Sequence, residues 1–178
     1  MSLYEQAMGP DFLRLAPVLR RFHRLAGLHD LHGMVRIQGP GSLPARLLAL
    51  CLGAPRHSTS GPLRFELDAQ PLAERWTRHF PGKTMTSHMR LQDGRVVEQL
   101  GAARLTFSLH ESGGRLLMQL QGMRFAGVAC PRWLLPRIVA QETGDGDLLA
   151  FKVSAALPWV GVVTHYEGHL RVPDEATP

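Results

Sequence analysis

From Leu63 onward the chain alternates apolar and polar residues in runs broken by glycine-bearing turns, and this pattern constrains the fold more than any other feature. Leu63, Phe65 and Leu67 alternate with Arg64, Glu66 and Asp68. Leu105, Phe107 and Leu109 alternate with Thr106, Ser108 and His110, and Phe151, Val153 and Ala155 with Lys152 and Ser154. Strand residues two apart share a face, so each run buries one face and wets the other. Turn signals fall at Pro81-Gly82, Asp93-Gly94, Ser112-Gly113-Gly114 and Gly144-Asp145-Gly146. Asp-Gly supplies the positive φ angles that tight hairpins need. About ten strands with one apolar face curl into a barrel or half-barrel rather than stay flat. No strand–helix–strand alternation is present, which disfavours a Rossmann arrangement. The expected class is α+β, mostly antiparallel β: N-terminal helices followed by a curved sheet or barrel-like meander of about ten strands.

The first sixty residues read differently. Tyr4 to Gly9 predicts a short helix closed by Gly9-Pro10, and Phe12 to Ala26 a second helical stretch. Pro17 suits a first turn, which puts the true start near Ala16. Leu15, Leu19, Phe22 and either Leu25 or Ala26 form its apolar stripe, with Arg14, Arg21 and Arg24 alongside. After Asp30 the period becomes two, and Met34, Val35 and Ile37 begin a strand that Gly39-Pro40-Gly41 stops. Ser42 caps a helix over Leu43–Leu52, with Pro44 in its first turn and Gly53 after its end. His57 to Pro62 reads as a polar loop. The whole chain, 1–178, is expected to be one domain: a helical segment over 1–30, a β-rich body over 31–172 with a short helix near 43–52, and a flexible tail over 173–178.

Phe125 to Ala140 interrupts the alternation. It contains Cys130-Pro131-Arg132-Trp133-Leu134-Leu135-Pro136-Arg137, too proline-rich for a central strand. Like Leu43–Leu52, it joins apolar bulk to an arginine and a boundary proline. The two segments are expected to cap one open end of the sheet, to touch each other or the same cavity, and to leave part of Trp133 or the leucines exposed.

With 44% hydrophobic and 20% charged residues, the chain has an ordinary globular composition. No apolar run approaches the ~20 residues of a spanning helix, and the N-terminus carries no secretory signal pattern. Cys51 and Cys130 sit among apolar neighbours, outside any CxxC, so neither zinc nor any other metal or cofactor is expected. These features point to the cytoplasm. The net charge of +5 is uneven: residues 1–60 hold seven arginines against Glu5, Asp11 and Asp30. Arg14, Arg20, Arg21, Arg24 and His23 form most of this block, yet no recognition motif accompanies it, which disfavours specific nucleic-acid binding.

Strand parity singles out polar residues that share a face with apolar ones. Arg78 lies with Trp76 and Phe80; Ser87 with Met85, Met89 and Leu91; Glu142 with Ile138 and Ala140; Thr164 and Tyr166 with Val162 and Leu170. Trp76, Arg78, Ser87, Glu142 and Tyr166 are therefore the candidate ligand-binding set, with no catalytic set assigned. Two readings stay open. Arg78 and Glu142 form a structural ion pair completed by Tyr166, or Arg78 orients an acidic or polar ligand head group in a pocket. His23 is expected at a helix C-terminus, where the dipole favours a cationic imidazole. His165, Glu167 and His169 share one strand face, read as solvated rather than metal-binding.

The chain resembles domain-of-unknown-function family 4166 over nearly its whole length. The likeness rests on Tyr4, Gly9-x-x-Phe12, Leu15-x-Pro17-x-Leu19-Arg20-x-Phe22-His23 and Trp76-x-Arg78-x-Phe80. It continues with Pro131-x-x-Leu134-x-Pro136 and Leu157-Pro158-x-x-Gly161-x-x-x-x-Tyr166-x-Gly168-x-Leu170. The resemblance implies a domain found alone or C-terminal to an NAD(P)-binding Rossmann domain, and it carries no catalytic residues. The chain has no GxGxxG and cannot bind a dinucleotide by that route.

The leading expectation is a non-enzymatic binding module for a hydrophobic, lipid-like small molecule. It rests on the β-rich pattern, on Met85, Met89, Met118 and Met123, and on the inward Arg78. The rivals are a substrate- or partner-binding domain working with an NAD(P)-dependent oxidoreductase, and an enzyme using Glu142, Tyr166 or His23. The apolar helix near 43–52 is also compatible with peripheral membrane contact.

Overall fold

The computed structural model describes residues 1–173; of the expected tail over 173–178, all but Pro173 lies outside the described residues. Helix α1, Leu3–Met8, begins with a capping box in which Ser2 and Glu5 satisfy each other's backbone N–H groups. Gly9, at φ +57°, ends it, and the chain tightens into a 3-10 turn over Gly9–Arg14. Helix α2, Pro17–Arg24, starts after Ala16 with Pro17 in its first turn. Helix α3, Leu43–Cys51, is capped by Ser42, whose hydroxyl accepts from Ala45 N at 3.3 Å.

The strands are β1 (Gly27–Gln38), β2 (Thr59–Gln70), β3 (Ala73–Phe80), β4 (Lys83–Gln92), β5 (Arg95–Leu100) and β6 (Ala103–Ser112). They continue as β7 (Arg115–Phe125), β8 (Val128–Ala129), β9 (Arg137–Asp145), β10 (Leu148–Leu157) and β11 (Gly161–Arg171). All pair antiparallel, in the order β6-β5-β4-β3-β2-β1-β11-β10-β9-β7-β8, and a further β6–β7 pairing closes ten of them into a barrel. Two-residue β8 lies outside that ring, against the end of β7.

Several expected boundaries move. The helical segment ends at Arg24 and β1 already begins at Gly27, because pairing with β2 runs unbroken from Gly27↔Ala69 to Ile37↔Thr59. The same ladder draws Thr59 to Pro62 out of the expected loop into β2. Arg137–Ala140 likewise belongs to β9, paired with β10 over Ala140↔Val153 to Arg137↔Ala156. Gly144 and Asp145 are strand residues, and the turn follows them. A Cβ on Gly144 would overlap Val18 Cγ1, so this glycine lets α2 rest directly on β9. The hairpin turns at 71–72, 101–102 and 126–127 fall outside the expected turn signals.

Strand direction assigns each connection to an end of the barrel. The 71–72, 93–94, 113–114 and 146–147 turns share one end with α1 and α2. That end is tied down by Gln6 Nε2 donating to Pro71 O (2.8 Å), Ala16 N to Gly114 O (2.8 Å) and Arg14 Nε to Glu111 Oε2 (3.1 Å). The other end carries the 39–58 connection with α3, the 81–82 and 101–102 turns, the 126–136 connection and the 158–160 turn. Helix α3 lies across it. Ser42 Oγ donates to Val160 O at 2.8 Å, and Cys51 O accepts from Ala102 N at 3.1 Å. Among the described residues no helix is long and apolar enough to cross a membrane.

Candidate functional site

The barrel interior holds a cavity of about 380 Å³, within the roughly 300–1,000 Å³ typical of small-molecule sites. Its walls are overwhelmingly apolar. Met85 and Met89 come from β4, Leu105 and Phe107 from β6, Met118 and Met123 from β7. The two proline-bounded segments reach it together: Leu48 from α3 with Leu52 just past its end, and Cys130, Leu134 and Pro136 from the 126–136 connection.

Alternation along β3 is realised. Glu74, Trp76, Arg78 and Phe80 are buried and the residues between them are not. Arg78, 7% exposed, donates from Nη1 to Ser87 Oγ at 3.1 Å. Its guanidinium carbon lies 5.0 Å from the Trp76 ring centre and 5.8 Å from that of Phe65, a cation–π arrangement. The expected Arg78–Glu142 pair does not form. Glu142 lies toward the helix end of β9, whereas Arg78 lies toward the opposite end of β3, and Glu142 is engaged elsewhere: His23 Nε2 is 2.7 Å from Glu142 Oε2. His23 lies at the C-terminal end of α2, as expected, but on its inward side. The last turn of α2 inserts it into the barrel mouth, 2% exposed, stacked on Tyr4 with ring centres 3.8 Å apart. No carboxylate among the described residues lies within ion-pair distance of Arg78; Glu74 accepts instead from Trp76 Nε1 at 2.7 Å.

The polar groups are thus distributed by depth. Glu74, Glu142, His23 and Tyr4 gather at the end closed by α1 and α2. Arg78, Thr164 and Tyr166 lie nearer the α3 end. Burial pushes the Glu74 carboxyl above the usual carboxylate range against the opposing pull of His23, and Glu142 adds to the rise. Burial also raises the Tyr166 phenol, with nearby Arg78 working against it. Thr164 Oγ1 is buried with no hydrogen-bond partner among the described residues, and Thr164 lines the cavity. Of the expected set, Trp76, Arg78, Glu142 and Tyr166 line the cavity, and Ser87 stands behind Arg78 as its acceptor.

Two inward carboxylates escaped the sequence reading. Glu98 lines the cavity from β5, and Glu74 precedes Trp76 by two residues. The signal was there: Val96-x-Glu98-x-Leu100 repeats the parity of Trp76-x-Arg78-x-Phe80. His165, Glu167 and His169 alternate with inward Thr164, Tyr166 and Leu170, and Glu167 Oε2 faces Lys152 Nζ at 4.0 Å. No group of three or more His, Cys, Asp or Glu residues among the described residues is placed to hold a metal ion.

The model of the family described as Domain of unknown function (DUF4166) matches residues 15–170. The chain belongs to that family. The match runs from the approach to α2 to Leu170 in β11 and so takes in all of the barrel but Arg171, and every cavity-lining residue named above. Among solved structures, this DUF4166 chain is similar to the crystal structure of Rv2717c from M. tuberculosis at 12% identity and a TM-score of 0.48, over 90% of this chain and 99% of that one. A search of the curated proteins finds no match.

Proposed function

We propose that this DUF4166 barrel is a non-enzymatic binding module for an elongated apolar molecule ending in an anionic or strongly polar head group. The observation that carries the reading is Arg78: a buried cation on the wall of an apolar cavity, with a serine hydroxyl as its hydrogen-bond partner and no carboxylate beside it. A buried charge without a counter-charge is costly, and an anionic ligand head would supply one. Tyr166 and the unpartnered Thr164 hydroxyl line the same region and offer further hydrogen bonds. The acidic end of the cavity, with Glu74 and Glu142, would repel an anion, so the head group belongs at Arg78. The tail then runs among Met85, Met118, Met123, Leu105 and Phe107, where flexible thioethers adapt to an irregular chain.

Native mass spectrometry of the purified protein tests for a co-purified lipid. Displacement of a fluorescent fatty acid compares wild type with Arg78→Met, whose side chain keeps the apolar length without the charge. Loss of the guanidinium should weaken carboxylate binding by about tenfold to a hundredfold, the worth of one charge-assisted hydrogen bond. Binding of a neutral alcohol of the same chain length should change little. Failure of wild type to bind either compound would overturn the reading.

A further inference from the structure

We propose that the α3 end of the barrel is a docking face for an anionic lipid bilayer. Both exposed tryptophans and four other exposed apolar side chains collect there, whereas Met1, Leu13, Leu28 and Leu72 are exposed singly at the α1/α2 end. Trp159 is 87% exposed, Leu43 75%, Val128 71%, Trp133 68%, Leu47 64% and Leu50 53%. They come from three connections far apart in sequence (39–58, 126–136 and 158–160) that strand direction delivers to one end. They also meet one another: the Trp133 and Trp159 rings stand 6.5 Å apart, and Ser42, next to Leu43, bonds Val160, next to Trp159. On α3, Leu43, Leu47 and Leu50 recur at the spacing of one helix face, while Ala45 and Ala49 are buried beneath. Trp159 is held at φ +62°, a conformation bulky residues rarely adopt, and it places an indole almost wholly in solvent.

Charge selects the occupant. Residues 39–58, 123–140 and 155–164 contain no aspartate or glutamate. Arg46, Arg56, Arg132 and Arg137 are all exposed among the apolar side chains, and Lys83 starts β4 at the same end. Indole rings interleaved with aliphatic residues and cations of one sign suit the headgroup layer of an anionic bilayer, where tryptophan settles and arginine finds phosphate.

The cavity lies directly behind this face. Strand β7 pairs with β9 only over Leu116↔Glu142 to Met118↔Ala140. Beyond Met118 the two strands part toward the α3 end, and β8 with the 130–136 segment fills the gap. Met123, Phe125, Cys130, Leu134 and Pro136 line the cavity along that seam, next to exposed Trp133. A tailed ligand leaving through the seam would pass from barrel to acyl layer without crossing water. That purpose rests on the ligand reading above; the docking itself does not.

The test is flotation with vesicles of phosphatidylcholine mixed with phosphatidylglycerol, against vesicles of phosphatidylcholine alone. Wild type should float with the anionic vesicles and not with the neutral ones, and added salt should weaken the association. Arg132→Glu/Arg137→Glu should lose more than about fivefold in partitioning for each position, since even neutralising one cation near an anionic surface costs about that factor. Trp133→Ser/Trp159→Ser and Leu47→Asp should also abolish flotation. All three variants should keep the wild-type melting temperature and still bind the fluorescent fatty acid. Wild type that stays with the soluble fraction would overturn the proposal. So would flotation unaffected by the tryptophan and leucine changes, or sedimentation as a dimer that Leu47→Asp dissolves. Flotation without binding of any apolar probe would leave the docking standing and sink the ligand reading.

Discussion

His23 and Glu142, 119 positions apart in sequence, meet inside the barrel mouth with Nε2 and Oε2 2.7 Å apart. The contact joins the last turn of α2 to β9 and closes one end of the cavity. The His23 side chain is fully buried and that of Glu142 nearly so, so neither can turn to water if the other is removed.

His23→Ala should therefore destabilise the fold by about 3–5 kcal/mol, because it leaves a buried carboxylate unpaired. Glu142→Gln keeps a hydrogen-bonding amide and should cost about 1–3 kcal/mol. In the double variant the costs should fall short of their sum by about 0.5–3 kcal/mol, the coupling expected of groups in contact. Urea unfolding measures all three. Strictly additive costs would show that the two side chains do not interact.

Arg78 should behave in the opposite way. With no carboxylate beside it, its removal strands only the Ser87 hydroxyl. Arg78→Met should change unfolding free energy by no more than about 1–2 kcal/mol, in either direction, far below the loss that follows removal of one member of a buried ion pair. A thermal melt of Arg78→Met with a shift as large as that of His23→Ala would reveal a hidden acidic partner.

The contrast between these two residues marks what the sequence made legible. The inward position of Arg78 follows from period-two alternation, a property of one strand readable over three residues. The same rule turns Glu74 and Glu98 inward, each two residues from an apolar side chain on its own strand. The ring itself was legible from turn spacing, although Gly101-Ala102 and Ala126-Gly127 turn without an Asp-Gly pair; Ala126 adopts φ +47° despite its Cβ. What Arg78 and Glu142 would touch was not legible. That depends on how far along its strand each lies and on a helix docking through the absent side chain of Gly144, both tertiary facts. The convergence of Leu43–Leu52 and Pro131–Pro136 on one end could be anticipated from shared chemistry, because apolar bulk in a connection must cover something.

Glu74 should give stability a pH dependence. Its carboxyl ionises at higher pH in the folded chain than the ordinary value of 4.5, because burial outweighs the Trp76 hydrogen bond and nearby His23. Protonated Glu74 thus favours the folded state, and this contribution is complete below the ordinary value and lost as pH rises through the raised one. Glu74→Gln, which cannot ionise, should gain stability relative to wild type as pH climbs from acid to neutral. Parallel denaturation curves at the two pH values, with the difference between wild type and variant unchanged, would remove Glu74 as the source.

The two tyrosines give an alkaline counterpart. Tyr4 and Tyr166 are the only tyrosines, and burial raises both phenols above the ordinary value of 10.0. Neutral phenols then favour the folded state, a contribution present below that value and lost as pH rises above it. Phenolate absorbance should stay flat through the ordinary range and appear only together with loss of near-ultraviolet dichroism. A phenolate signal rising while the dichroism is intact would mean that one ring reaches solvent.

Gly168 should be the position in the sheet least tolerant of a methyl group among its β11 neighbours. In the β1–β11 ladder it stands opposite Val35. An added Cβ would overlap Met34 O, lie 2.9 Å from Phe151 Cζ and lie 3.0 Å from Val35 Cα. Two of those three atoms are backbone, which cannot swing aside as a side chain can. The β1–β11 ladder joins the first half of the barrel to the second, so strain here opens the ring rather than a surface turn. Gly168→Ala should cost about 1–3 kcal/mol, the range for forcing extra carbon into a packed interior. Amides of β1 and β11 should lose hydrogen-exchange protection before those of β3 and β4. Gly122→Ala, where a Cβ meets nothing within 4 Å, serves as the matched control and should stay within about 0.5 kcal/mol of wild type. Equal melting temperatures for the two variants would show that β1 and β11 have room to separate and that the close approach at Gly168 does not set the ring.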